Sequence, residues 1–159
     1  MSNSITNSEV SGPVLALDLG EKLVGVAISD ERLITIKRLQ RLQRSNWKQL
    51  LRDVQALIKL YDAKSVVIGL PLRLDGTAGS AAEHAKRLAG NFAKSLSVPV
   101  FLQDERLTSF EARESLLEGG VDQNELADYI DSESAALILR DFITTNQDRT
   151  PLIEKGQHV

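Results

Sequence analysis

Two short apolar runs with an amphipathic helical stripe between them set the architecture. Val14-Leu15-Ala16-Leu17 ends at Asp18, and Ser65-Val66-Val67-Ile68-Gly69 forms a second such run. Between them Trp47, Leu50, Leu51, Val54, Leu57, Ile58 and Tyr61 recur at helical spacing, with Ser45 available as an N-cap. The runs read as buried strands. A helical crossover delivers the second parallel to the first and beside it in one sheet.

The remaining pattern extends that sheet. Gly20-Glu21-Lys22 supplies a turn, Leu23 to Ser29 returns, Asp30-Glu31-Arg32 turns again, and Leu33-Ile34-Thr35-Ile36 begins a third strand, predicting an antiparallel meander. Downstream, Ala81, Ala85, Leu88, Ala89, Phe92 and Ala93 mark a helix from Ser80 to about Leu96, and Val98 to Leu102 makes a fifth strand. Thr108 and Glu111 form a capping-box pattern for a helix that stops at Gly119-Gly120. Ala135, Ala136, Leu137, Leu139 and Phe142 predict a closing helix capped by Asp131. The expected fold is α/β, a mixed five-stranded sheet flanked by helices. An RNase H-like layer satisfies this order, as do other α/β folds.

Composition narrows the chemistry. A chain of 159 residues, 42% hydrophobic, suits one domain, expected over residues 13–144 with flexible tails at 1–12 and 145–159. The charge of −3 offers a polyanion no global attraction, so any nucleic-acid surface is a local patch. With no cysteine and two distant histidines, thiolate and His-rich metal sites are excluded and oxygen ligands remain. Aromatics at 4% leave little for base stacking, which favours backbone and shape readout. Residues 1–12 lack the basic and apolar regions of a signal peptide, and no apolar run nears the ~18 residues of a membrane span. A cytoplasmic protein is expected, as a monomer or homodimer.

Three acids stand at element edges: Asp18 closing the first strand, Glu105 just past the last, and Asp131 opening the closing helix. Strand ends of one polarity open on the same side of an α/β sheet, so these positions can converge. Three carboxylates would suit Mg2+ or Mn2+, and phosphodiester hydrolysis needs ions that activate water and stabilise the attacking and leaving oxygens. Each acid also has a purely structural explanation. Asp18 can serve the turn at Gly20, Glu105 can pair with Arg106 or Arg113, and Asp131 can simply cap its helix. Asp104 should point away from Glu105, as neighbours in extended chain do.

The opening stretch Asp18-Leu19-Gly20-Glu21-Lys22-Leu23-Val24-Gly25-Val26-Ala27 resembles the first motif of the YqgF/RuvX family of small RNase H-like proteins. Gly69-Leu70-Pro71-Leu72 with Asp75-Gly76-Thr77, then Asp104-Glu105-Arg106-Leu107-Thr108, then Asp131 with Ser134-Ala135, resemble the other three, in order. The resemblance implies an RNase H-like fold and a nuclease that either processes the 5′ end of pre-16S rRNA or resolves branched DNA. It also implies active-site acids at Asp18, Glu105 and Asp131, with Mg2+ or Mn2+ as cofactor. Lys22, Arg73 and Arg106 are the candidate nucleic-acid contacts. Two positions depart from the pattern: Leu23 replaces an arginine, and Ala127-Asp128-Tyr129 replaces a stretch that commonly carries lysine. Both bear on substrate affinity more than on reaction type.

Other features stay open between bland and functional readings. Lys37, Arg38, Arg41, Arg44, Lys48 and Arg52 form either a solvated face or a phosphate-binding patch. The small residues of Pro71 to Gly79 permit close approach to a phosphate but also suit a plain connection. His84 reads as a surface residue. Against the nuclease stand a non-catalytic nucleic-acid or ribosome-assembly module and, less compatible with one domain, a nucleotide-binding phosphotransferase.

Overall fold

A computed structural model describes residues 10–72, 75–105, 123–145 and 151–152, with the backbone alone over 123–132. The apolar runs form strands β1 (Val14–Leu19), β2 (Leu23–Ser29), β3 (Ile36–Gln43), β4 (Ser65–Leu70) and β5 (Val100–Asp104). They assemble in the order β3-β2-β1-β4-β5. The β1–β2 and β2–β3 pairs are antiparallel, whereas β1–β4 and β4–β5 are parallel. The mixed five-stranded sheet and the parallel crossover are thus as expected.

The two-residue alternation of the strands separates two cores. Leu15, Leu17, Val24, Val26, Val66 and Ile68 face helices α1 (Trp47–Tyr61) and α2 (Ser80–Ser95). Trp47 and Phe92 lock those helices together edge-to-face, ring centroids 4.8 Å apart. Val14, Ala16, Ala27, Val67 and Phe101 face α3 (Gln123–Thr145) through its Ala135, Ile138, Leu139 and Phe142. Small side chains in the middle of this second face let α3 lie close to the sheet.

Local chemistry moves several boundaries. The third strand begins at Ile36 rather than Leu33, because the Asp30 carboxylate accepts the amides of Ile34 (2.6 Å) and Thr35 (2.9 Å) and Leu33 turns left-handed at φ 62°. Those amides are therefore unavailable to a ladder. Asn46, not Ser45, caps α1 by accepting the Gln49 amide at 2.9 Å. The fifth strand starts at Val100, since Pro99 has no amide to donate and contributes only its carbonyl, to Val66. Finally α3 begins at Gln123, so Asp131 lies about two turns inside the helix and is not its N-cap. The stretch from Gln123 to Ile130 contains no Gly or Pro and includes the strong helix formers Glu125, Leu126 and Ala127, which carry the helix upstream. The helix expected after Thr108 lies outside the described residues. Within the segment expected to be a tail, the Leu152 amide donates to the Val100 carbonyl at 2.6 Å and bridges the edge of β5.

The Asp30 turn has a measurable signature. Its carboxyl is held below the ordinary carboxylate range, chiefly by the Thr35 amide and further by those of Ile34 and Arg32. A depressed folded-state pKa contributes stability that is present above the unfolded value, about 4, and is lost as pH falls from there through the folded one. Asp30→Ala is expected to lower the urea midpoint at pH 7, with the gap to the native protein narrowing below about pH 4. A gap that stays constant with pH would show that the charge of Asp30 does not hold the turn.

Candidate active site

The alternation that separates the two cores also decides which acids meet. On β1, Val14 and Ala16 face α3, and the next residue in that row is Asp18. On β4 the row runs from Val67 to Gly69, and on β5 from Phe101 through Gln103 to Glu105 just beyond the strand end. Leu17 pairs with Ile68, which brings Asp18 level with Gly69, and Gly69 pairs with Gln103. Asp18 and Gly69 therefore lie level under α3, with Glu105 on the same face two residues past Gln103, all at the carboxyl ends of three parallel strands, where open α/β sheets bind ligands. Glu105 is only 8% exposed and its amide donates to the Leu70 carbonyl at 3.0 Å. Asp104 is exposed, pointing the other way as expected.

Glycine shapes the space between the acids. Asp18 is flanked in the sheet by Gly25 on β2 and Gly69 on β4. A Cβ at Gly69 would stand 2.4 Å from Ile138 Cδ1 and 3.7 Å from Glu105 Cγ. The bare backbone thus lets Ile138 of α3 descend onto β4, with Glu105 lying against the same spot. Strands β1 and β5 are about 10 Å apart, two inter-strand spacings. Across that distance the strand between the two acids presents no side chain at Gly69.

The turn after Asp18 is held firmly. The Gly20 amide donates to the Leu23 carbonyl at 3.0 Å, an approach that leaves no room for a Cβ, which would sit 2.6 Å from that oxygen. The Arg44 guanidinium donates to the Gly20 carbonyl, and its amide donates to the Lys22 carbonyl at 2.9 Å. Lys22 is exposed at the tip. In the next loop, Asp75 Oδ1 accepts both the amide (2.9 Å) and the hydroxyl (2.7 Å) of Thr77.

Not every expected member is described. Asp131 is known by its backbone position in α3, and Arg73, Arg106 and the Asp131 side chain lie outside the described residues. Among the described residues no group of three or more His, Cys, Asp or Glu side chains gathers into a metal-sized cluster. Two observations nonetheless fit a hard cation at this edge. The acidic donors are all oxygen, and Ser134 of α3, fully buried, has a hydroxyl with no hydrogen-bond partner among the described residues.

The basic run does not form one patch. Lys37 lies over the Tyr61 ring at 6.0 Å, while Arg38 turns to the other face and pairs with the buried Glu133 of α3. Sequence reasoning missed this pair, the unpartnered Ser134 and the flanking glycines. An isolated glycine within an otherwise β-branched strand, as at position 69, was the available signal for close approach.

Such a sheet, with antiparallel β1 to β3, parallel β4 and β5, and acids at the carboxyl ends, defines an RNase H-like domain. The chain belongs to the RuvX family of Holliday junction resolvases, whose family model matches residues 12–145. A relative from Syntrophus aciditrophicus, 37% identical over 87% of this chain and 93% of its own, carries the provisional name pre-16S rRNA nuclease. One from Koribacter versatilis, 38% identical over 86% of this chain and 89% of its own, carries the same name. Among solved structures, RuvC of T. thermophilus in complex with a Holliday junction superposes with a TM-score of 0.53 at 13% identity, covering 87% of this chain and 98% of that one. The Fowlpox virus resolvase bound to junction DNA gives 0.50 at 15% identity, covering 83% and 97%. At those identities the likeness is one of fold. No helix among the described residues is long and apolar enough to cross a membrane.

Gly69→Ala should cost about 1–3 kcal/mol in urea denaturation, because the added methyl overpacks against Ile138. Ile138→Val removes the Cδ1 that would collide and alone should cost about 0.5–1.5 kcal/mol. The double variant is expected to be more stable than the sum of the two losses. Strict additivity would mean that the contact at Gly69 does not set the helix position.

Proposed function

We propose that this protein is a metal-dependent nuclease that hydrolyses phosphodiester bonds in structured nucleic acid, with the 5′ end of pre-16S rRNA as the foremost substrate and branched DNA as the second. The observation that carries the reading is the placement of Asp18 and the buried Glu105 on one sheet face, at one edge, across the side-chain-free Gly69. The relatives named for pre-16S rRNA processing span nearly all of this chain, which favours the RNA substrate.

Asp18, Glu105 and Asp131 would hold Mg2+ or Mn2+. Support for Asp131 comes from helical register: position 131 precedes Ala135 and Ile138 in the row of α3 that covers the sheet. Divalent ions, when bound, supply an activated water and offset the charge that develops on the attacking and leaving oxygens. The chain's own part is positional. The Leu23 carbonyl and Arg44 hold the turn after Asp18, the Leu70 carbonyl holds the amide of Glu105, and burial under α3 limits the water around Glu105. Lys22, exposed at the tip of the turn, would meet backbone phosphate, as would Arg73 and Arg106.

The test is cleavage of a labelled 5′-extended 16S rRNA precursor and of a four-way DNA junction, with Mg2+ or Mn2+. Asp18→Asn, Glu105→Gln and Asp131→Asn should each reduce the rate by at least the ~10–100-fold typical of groups that merely orient metal ligands. Their folds should persist by circular dichroism. Full activity in Asp18→Asn would sink the assignment, and binding without metal-dependent turnover would favour a non-catalytic assembly module.

A further inference from the structure

One cluster of basic side chains extends from the turn after Asp18 onto α2, away from the acids themselves. Arg44, which grips the Gly20 carbonyl, also reaches α2, where its Nη2 stands 2.6 Å from His84 Nε2. From the other side Arg87 Nη2 stands 3.5 Å from His84 Nδ1. Two guanidiniums thus converge on the two nitrogens of one imidazole. A neutral imidazole has a single acceptor nitrogen, so it can accept from only one of the two guanidiniums, and the cluster has more donors than acceptors. Among the described residues neither Arg44 nor Arg87 has a carboxylate partner, and the neighbouring Glu83 is directed to Lys86 at 3.8 Å. His84 and Arg87 also line an open depression of about 500 Å³ along α2.

Like charges held together without an acid are relieved by an anion, and a tetrahedral oxyanion supplies the several acceptors that this fork of donors lacks. The geometry points to Arg44, His84 and Arg87 as a second phosphate-binding site, which takes the sugar-phosphate backbone of the nucleic acid at a point beside the Asp18 turn and on the α2 side of the sheet. Arg44 ties the two sites together, since one guanidinium touches both the turn that follows Asp18 and the imidazole of α2. A strand anchored there would be held in register with the acidic edge. The inference rests on the proposed nucleic-acid substrate but not on cleavage.

The experiment is equilibrium binding of a fluorescent RNA hairpin and of a four-way DNA junction in EDTA, over a series of salt concentrations. The native protein is compared with Arg87→Gln and His84→Gln, both exposed on α2, and with Lys64→Gln, an exposed cation paired with Asp62 at the opposite end of the sheet. Loss of a phosphate contact should lower the slope of log affinity against log salt by about 0.9 on duplex DNA and about 0.7 on single-stranded segments. That loss is expected for Arg87→Gln, with weaker binding for His84→Gln and none of either for Lys64→Gln. A loss with both ligands assigns the site to backbone phosphate in general, and a loss with one assigns it to that backbone. Native slopes in the α2 variants of a protein that binds and cleaves would overturn the site and leave the nuclease standing. Slopes that fall in a protein that binds without cleaving would uphold the site and remove the nuclease. No binding by the native protein would overturn the site.

Discussion

The parallel register of β1, β4 and β5 is the constraint on which the rest depends. Leu17 opposite Ile68, and Ile68 opposite Leu102, bring three carboxyl ends to one edge with their side chains in phase. A one-residue slip of β1 would turn Asp18 into the apolar layer under α1 and α2 and expose Leu17 toward α3. Burying an unpaired carboxylate in that layer is far costlier than any gain in pairing. The hydrophobic rows that hold the register therefore also hold the acids in place, so stability and site geometry have the same origin.

Helix α3 is the second determinant, and it is seated by absences as much as by contacts. Ala16, Ala27 and Gly69 present little or nothing to the helix, and Ile138 fills the space at Gly69. At its upstream half Arg38 of β3 meets Glu133, whose carboxylate is buried. Such a pair adds little net stability over an apolar one, but removing the arginine would strand a buried charge. Its value is in fixing where α3 lies over the sheet, and with it the turns that carry Asp131 and Ser134.

What could be read from the sequence was what local periodicity governs. The run Val14–Leu17, the parallel return at Ser65 and the opposed directions of Asp104 and Glu105 all follow from a period of two or from a helical crossover. The misplaced features depend on a side chain overriding that period. Asp30 captures the amides of Ile34 and Thr35, so apolar Leu33 and Ile34 become a turn. The basic run is split for a related reason. Lys37 and Arg38 are adjacent, yet a strand sends them to opposite faces, and the partner of Arg38 lies in another element 95 positions away. No local pattern announces such a partner.

At Leu23 the chain departs from the motif it resembles. The resemblance implies an arginine there, and leucine in its place leaves the turn after Asp18 without that cation. In the folded chain Leu23 pairs with Gln43 of β3, and the next residue is Arg44, whose guanidinium returns to the Gly20 carbonyl of the same turn. The positive charge is therefore supplied across the ladder by the neighbouring strand. Arg44 is better placed for this than a residue at position 23 in one respect: it also reaches His84 on α2. A chain of net charge −3 must gather its cations where a polyanion would approach, and here one arginine spans the acidic edge and the helix beside it.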